Sequence, residues 1–218
     1  MCIRDRAMAA FLARFGLTAD EMAATKVSLF CYPYAPVAEL FEVWQNGQNR
    51  VCCLVPEGVA TNAVQAFLGT EALAGACASR GALTVRVLPF VPQPDYDKLL
   101  WACDFNFVRG EDSFVRAQWA GRPFVWHIYP QDENLHHKKL RAFLQRYIAA
   151  LPSLAAFSLY WNGAEVAGGP QQADWATLWA AVEADMPEIT EKSADWQRQM
   201  LKNGNLASNL LKFATTLP

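Results

Sequence analysis

The stretch that decides the fold runs from Asp104 to Gln131, DFNFVRGEDSFVRAQWAGRPFVWHIYPQ. An apolar run, Phe105 to Val108, stops abruptly at Arg109-Gly110-Glu111-Asp112-Ser113. A helix-patterned segment, Asp112 to Ala120, follows, and then a second apolar run, Pro123 to Tyr129. Strand, polar elbow, helix and strand in that order describe the place where an open α/β sheet presents a ligand site. Packing alone does not call for four hydrogen-bonding side chains at a strand's carboxyl end. The helix start after them offers free backbone N–H groups to an anion.

The same grammar extends outward. Lys26 to Tyr32 (KVSLFCY), Arg50 to Val55 (RVCCLV) and Leu83 to Phe90 (LTVRVLPF) read as further strands. Helical segments at Val37–Trp44, Thr61–Phe67 and Asp95–Ala102 separate them. Near-continuous apolar strands alternating with helices predict a doubly wound, mostly parallel Rossmann-like sheet covered on both faces. Beyond Tyr129 the pattern is helical, with a stripe through Leu140, Phe143, Leu144, Tyr147, Ile148 and Leu151, and a second through Trp175, Leu178, Trp179 and Val182. A more polar terminal helix is expected from about Ser193 to Leu217, interrupted at Gly204.

Composition limits the function. Of 218 residues, 53% are hydrophobic, enough for a substantial core. The net charge of −2 gives no electrostatic footprint for nucleic acid, and no apolar run approaches the ~20 residues that span a bilayer. The six cysteines, Cys2, Cys31, Cys52, Cys53, Cys77 and Cys103, form no CxxC. They are expected to be reduced, as in a cytoplasmic protein, with Cys52 and Cys53 on opposite faces of one strand. The opening Met1-Cys2-Ile3-Arg4-Asp5-Arg6 resembles translated sequencing-adapter sequence and not a signal peptide. The gene is accordingly expected to be truncated, with folded sequence starting at or after Ala7.

The sequence has no GxGxxG, GxxxxGK[ST] or GxSxG motif, so dinucleotide, P-loop and serine-hydrolase chemistry are not indicated. Asp95-Tyr96-Asp97 is a DxD, but it follows Pro94 and opens a helix, where carboxylates cap and complement the dipole. His136-His137 with Glu133 reads as a solvated helix face, and His127 as a core or sheet-edge histidine. Arg109 suits a phosphate because its planar fork binds oxygens in pairs, with Ser113 and the N–H groups of residues 111–113 beside it. Glu111 and Asp112 repel an anion and fit sugar hydroxyls or a cationic acceptor better. Helix capping and an Arg109–Glu111 pair are the bland alternative. Phe30 and Tyr32 after the first strand, with Gln93 and Tyr96 after the third, could sandwich a base and read its edge.

On DFNFVRGEDSFVRAQW…GRPFVWHIYPQ, VSLFCY and LPFVPQPDYDKLLW, the chain resembles the elongation-factor-P arginine rhamnosyltransferase family. The resemblance runs from about Phe15 to the C-terminus and covers only the C-terminal, donor-binding half of a two-domain GT-B glycosyltransferase. It implies a metal-independent, inverting transfer of rhamnose from dTDP-β-L-rhamnose to an arginine of elongation factor P, without cofactor or membrane. By motif position, Phe30, Tyr32, Gln93 and Tyr96 would surround the thymidine, Arg109, Asp112 and Ser113 would hold the diphosphate and adjacent groups, and Glu111 would turn toward sugar and acceptor. Tyr96 stands where relatives also carry Phe. The principal acidic catalytic residues are expected in the missing N-terminal half, so the isolated chain is expected to bind donor without transferring it. The implied organisation is an artefactual start and linker helix at 1–14, a donor domain at 15–192, and a terminal helix at 193–218 packing toward the absent half. Two alternatives stay open: the donor half of another nucleotide-sugar transferase, and a non-catalytic module whose Glu111–Asp112 face binds a basic partner.

Overall fold

The computed structural model describes residues 3–166, 174–204 and 206–216. The expectations for Met1, Cys2 and Leu217 lie outside these residues. A six-stranded sheet is built from β1 (Thr25–Leu29), β2 (Val51–Pro56), β3 (Cys77–Arg80), β4 (Leu83–Leu88), β5 (Phe105–Arg109) and β6 (Phe124–His127), in the order β3-β4-β2-β1-β5-β6. All neighbours run parallel except β3, which pairs antiparallel with β4 at the edge. The described helices are α1 (Ile3–Ala13), α2 (Ala19–Ala23), α3 (Val37–Asn46), α4 (Thr61–Leu68), α5 (Gln93–Ala102), α6 (Gly110–Ala120), α7 (Leu135–Tyr147), α8 (Pro152–Trp161), α9 (Trp175–Ala184), α10 (Met186–Lys202) and α11 (Leu206–Thr216). The expected α/β class and helical C-terminal extension are both present.

The strand order has one consequence for function. From β1 the chain winds outward through β2 to β4, then crosses back to place β5 on the other side of β1. The switch point therefore lies between β1 and β5, where the two connections leave in opposite directions and open a crevice at the carboxyl ends.

Alternation along β2 divides the interior. Val51, Cys53 and Val55 face a large core with Trp44 of α3, Phe67 of α4, Phe157 and Trp161 of α8 and Trp179 of α9. Cys52 and Leu54 face a smaller core with Phe11 and Leu12 of α1, Leu99 and Ala102 of α5, and Cys103. The two thiols do point to opposite faces, and Cys31, Cys52, Cys53 and Cys103 are buried while Cys77 is exposed. Helix α1, inside the segment expected to be an artefactual start and linker, contributes Phe11 and Leu12 to that second core. Within the strands, the buried Asn106 is satisfied by Ser28 Oγ at 2.5 Å and the Leu100 carbonyl at 3.1 Å. Beyond β6, rings from α6, α7 and α10 pack edge and face: Phe114 on Trp126, Phe124 on Tyr147, and Phe143 against Trp196.

A buried ion pair ties the amino-terminal helices to the sheet. Glu21 of α2, 6% exposed, takes the Arg86 fork at 2.8 and 3.0 Å and the Thr18 N–H at 2.6 Å. Thr18 returns a bond to the Glu21 N–H, completing a capping box.

Several expectations are corrected. Strand β3 was not anticipated, because its short CASR sequence is largely exposed and lacks a hydrophobic alternation. The first strand ends at Leu29 and the strand expected to reach Phe90 ends at Leu88, before Pro89, which has no N–H for the ladder. The last long helix begins at Met186, with Pro187 in its first turn, and Ser193 lies inside it. His136 is buried, not solvated: its Nδ1 accepts the Gln131 N–H at 3.1 Å.

Candidate functional site

β5 delivers Arg109 to the switch point, and the turn after β1 delivers Phe30 to Tyr34. Arg109 is the last extended residue, and Gly110 next to it starts α6 at φ +65°. That left-handed angle favours glycine, and a Cβ here would come within 3.4 Å of the Tyr32 hydroxyl. The abrupt elbow thus depends on this glycine, and the Tyr32 hydroxyl packs beside it at contact distance.

The Arg109 guanidinium does not pair with Glu111. Its Nη1 donates to the Cys31 carbonyl at 3.0 Å. Its carbon lies 4.3 Å from the Phe30 ring centre and 5.3 Å from that of Tyr32, in cation–π range of both. One bond and two rings orient the fork while leaving most of its five N–H groups for a ligand. Among the described residues no side chain caps α6, so its first N–H groups and the positive end of its dipole lie beside Arg109.

Around this centre the sequence-predicted residues assemble unequally. The Tyr96 ring stands edge-on to Phe30 at 5.9 Å. Among the described residues its buried hydroxyl has no hydrogen-bond partner; burial raises its pKa, and the nearby Ser113 partly offsets the rise. Burial, and after it the Glu111 carboxylate, raise the Tyr32 phenol above its ordinary pKa. Gln93 is exposed at the first position of α5. Asp112 is turned aside: it accepts from Arg116 Nε at 2.7 Å, and Arg116 Nη1 in turn reaches both Asp97 oxygens at 2.9 and 3.0 Å.

That network also accounts for the DxD. Asp97 is held by Arg116, and Asp95 by Lys98 at 2.8 Å and Arg14 at 3.4 Å. Asp95 sits in the first turn of α5 without capping it, since the helix already begins at Gln93. Among the described residues no cluster of three His, Cys, Asp or Glu could hold a metal ion.

Three aromatics on the same rim were not singled out by sequence. Tyr34 stacks on Tyr32 at 5.7 Å and Tyr129 meets it edge-on at 5.8 Å, and both are exposed. Phe90, just past β4, is 89% exposed. Read as strand residues, Phe90 and Tyr129 look like core; the available signal was their position at the carboxyl ends of apolar runs. A separate cavity of about 820 Å³, lined by Trp44, Trp175 and Trp179, lies between α3 and α9 near the start of β2, away from these converging groups.

The domain is Rossmann-like α/β with a cation, a helix start and aromatic walls at its switch point, an arrangement chemically suited to an anionic group. Residues 2–215 match the family described as elongation factor P (EF-P) rhamnosyltransferase EarP, and the chain belongs to that family. It is 42% identical to a protein-arginine rhamnosyltransferase of Pseudomonas aeruginosa, over 93% of this chain and 53% of the relative. With the enzyme of that name from Pseudomonas putida it is 40% identical, over 87% of this chain and 50% of the relative. A solved structure reported as the basis of EarP-mediated arginine glycosylation of translation elongation factor EF-P superimposes with a TM-score of 0.80 at 36% identity, covering 97% of this chain and 67% of that one. The chain spans about half the length of the curated relatives it matches.

Proposed function

We propose that this chain is the donor-binding half of a GT-B protein-arginine rhamnosyltransferase acting on elongation factor P in the cytoplasm, where a translation factor works. The observation that carries the reading is Arg109, oriented by the Cys31 carbonyl and two rings beside the uncapped start of α6. The donor is dTDP-β-L-rhamnose. Its diphosphate lies on Arg109, Ser113 and the first N–H groups of α6; Asp112, held by Arg116 in this structure, would have to leave that partner to reach the adjacent groups. Its thymine lies among Phe30, Tyr32, Tyr96 and Gln93.

Transfer is a single displacement with inversion. A guanidinium nitrogen of the acceptor arginine attacks the anomeric carbon, the bond from that carbon to the diphosphate oxygen breaks, and TDP leaves. Charge accumulates on the departing diphosphate, where Arg109 and the helix start are already aimed. They do the work a metal does elsewhere, and both DxD carboxylates are occupied by Lys98, Arg14 and Arg116. Glu111 faces the sugar and acceptor. The acceptor guanidinium, with a pKa above about 12, must be oriented and relieved of a proton, and one carboxylate falls short of that. The principal acidic groups therefore come from the other half of the full-length enzyme, toward which we assign α11, with Leu210 and Leu211 exposed.

Calorimetric titration with TDP and dTDP-rhamnose, against UDP and UDP-glucose and with EDTA throughout, tests the reading. Selective thymidine-nucleotide binding without metal supports it. Equal binding of the UDP ligands would reassign the half to another transferase, and no binding by folded chain would remove the donor site.

A further inference from the structure

His127 is the last residue of β6, in register with Arg109 across the β5–β6 pair, and is 2% exposed. Its Nδ1 accepts the backbone N–H of Tyr32 at 3.2 Å. Its ring meets Tyr32 edge-on at 5.1 Å, Tyr34 at 5.0 Å and Trp161 at 5.8 Å. The N–H of Tyr32 and the carbonyl of Cys31 belong to one peptide group, and that carbonyl is the acceptor of Arg109 Nη1. A single peptide plane is therefore held at both poles, by Arg109 from β5 and by His127 from β6.

We propose that His127 is a positioning residue of the donor site: by accepting the Tyr32 N–H it fixes the Cys31–Tyr32 peptide, and with it the carbonyl and ring that orient Arg109. The inference rests on the donor-site reading above. Only a neutral imidazole with its proton on Nε2 can accept at Nδ1. Burial, and then the charge of Arg109, push the His127 pKa down to about 4, so that form persists at neutral pH.

The test compares H127N and H127F, using TDP as probe and circular dichroism as a folding control. An asparagine oxygen can replace Nδ1 as acceptor, whereas phenylalanine keeps the ring contacts without one. H127F is expected to weaken TDP binding about tenfold and H127N by less than about threefold, the difference a single bond to a buried N–H makes. Amide exchange at Tyr32 should accelerate in H127F and not in H127N. Equal losses in both variants, or wild-type affinity in H127F, would overturn the proposal. Should H127F not fold, nitrogen NMR of the wild-type chain decides: Nε2 protonated near neutral pH supports it, and a proton on Nδ1 overturns it. A folded wild-type chain that binds no TDP while Tyr32 exchange follows the pattern would sink the donor reading and leave the anchoring intact.

Discussion

Replacing Arg109 with alanine removes three contacts inside the protein and, on the proposed reading, the main cation facing the diphosphate. Internally, the lost bond to the Cys31 carbonyl costs about 1 kcal/mol, and the contacts with Phe30 and Tyr32 cost about 0.5 kcal/mol each at this half-buried position. The sum, about 2 kcal/mol, is well inside the ~5–15 kcal/mol stability of a domain and lowers Tm by about 4–8 °C. The ligand loses two charge-assisted bonds worth about 1.5 kcal/mol each at the lower end of their range, about 3 kcal/mol together. That converts to a loss in TDP affinity of roughly 150-fold. Calorimetry at constant ionic strength reads the affinity, and a thermal melt reads the stability. R109K, which keeps the charge but not the fork, should fall between. Affinity within about threefold of wild type, with Tm lowered as expected, would refute the placement of the diphosphate.

Two further expectations follow from the crevice and the ion pair. In a full-length relative, the change equivalent to Glu111→Gln should depress turnover more than TDP affinity; intact turnover in steady-state assays would remove Glu111 from the chemistry. At Glu21, burial raises the carboxyl pKa, but the Thr18 N–H, the Arg86 bonds and the Arg86 charge together outweigh it and hold it below the ordinary value. A depressed folded pKa means that the stabilisation is complete above the unfolded glutamate value and is lost as pH falls through the folded one. E21Q should therefore cost about 2 kcal/mol at pH 7, and the gap to wild type in urea melts should narrow below about pH 4.5. A gap independent of pH would show that Glu21 acts through packing alone.

How far the sequence alone reaches can be judged from particular residues. Phe105 to Arg109 and its elbow were legible because an unbroken apolar run ending in polar residues has few other readings. The switch point followed, since strand–helix alternation restricts the crossovers. Arg109 could be named, but its partner could not: Cys31 lies 78 residues away and contributes a backbone oxygen, which carries no side-chain signature. Asp112 and Ser113 are adjacent in sequence yet separate in space, one drawn to Arg116 and the other buried, because successive helical residues diverge by about a quarter turn or more. His136 reads as solvated with His137 as one polar pair, yet it stands four residues before Leu140 and so continues the buried stripe of Leu140, Leu144 and Tyr147, with the Gln131 N–H bonded to its ring. Strand β3 has no hydrophobic pattern because an exposed edge buries little.

The two adjacent thiols of β2 make this chain its own stopwatch. Cys53 is sealed among the large-core residues with Cys31, and Cys52 in the smaller core with Cys103. Burial keeps all four far from thiolate at neutral pH, so an alkylating reagent reaches each only when its own layer opens. Detachment of α1 and α5 would label Cys52 and Cys103 while Cys53 and Cys31 stay silent. Global unfolding would label all four together, and the exposed Cys77 supplies the zero of the clock. Mass spectrometry of trapped peptides could thus time the two sides of one sheet separately, with no residue changed.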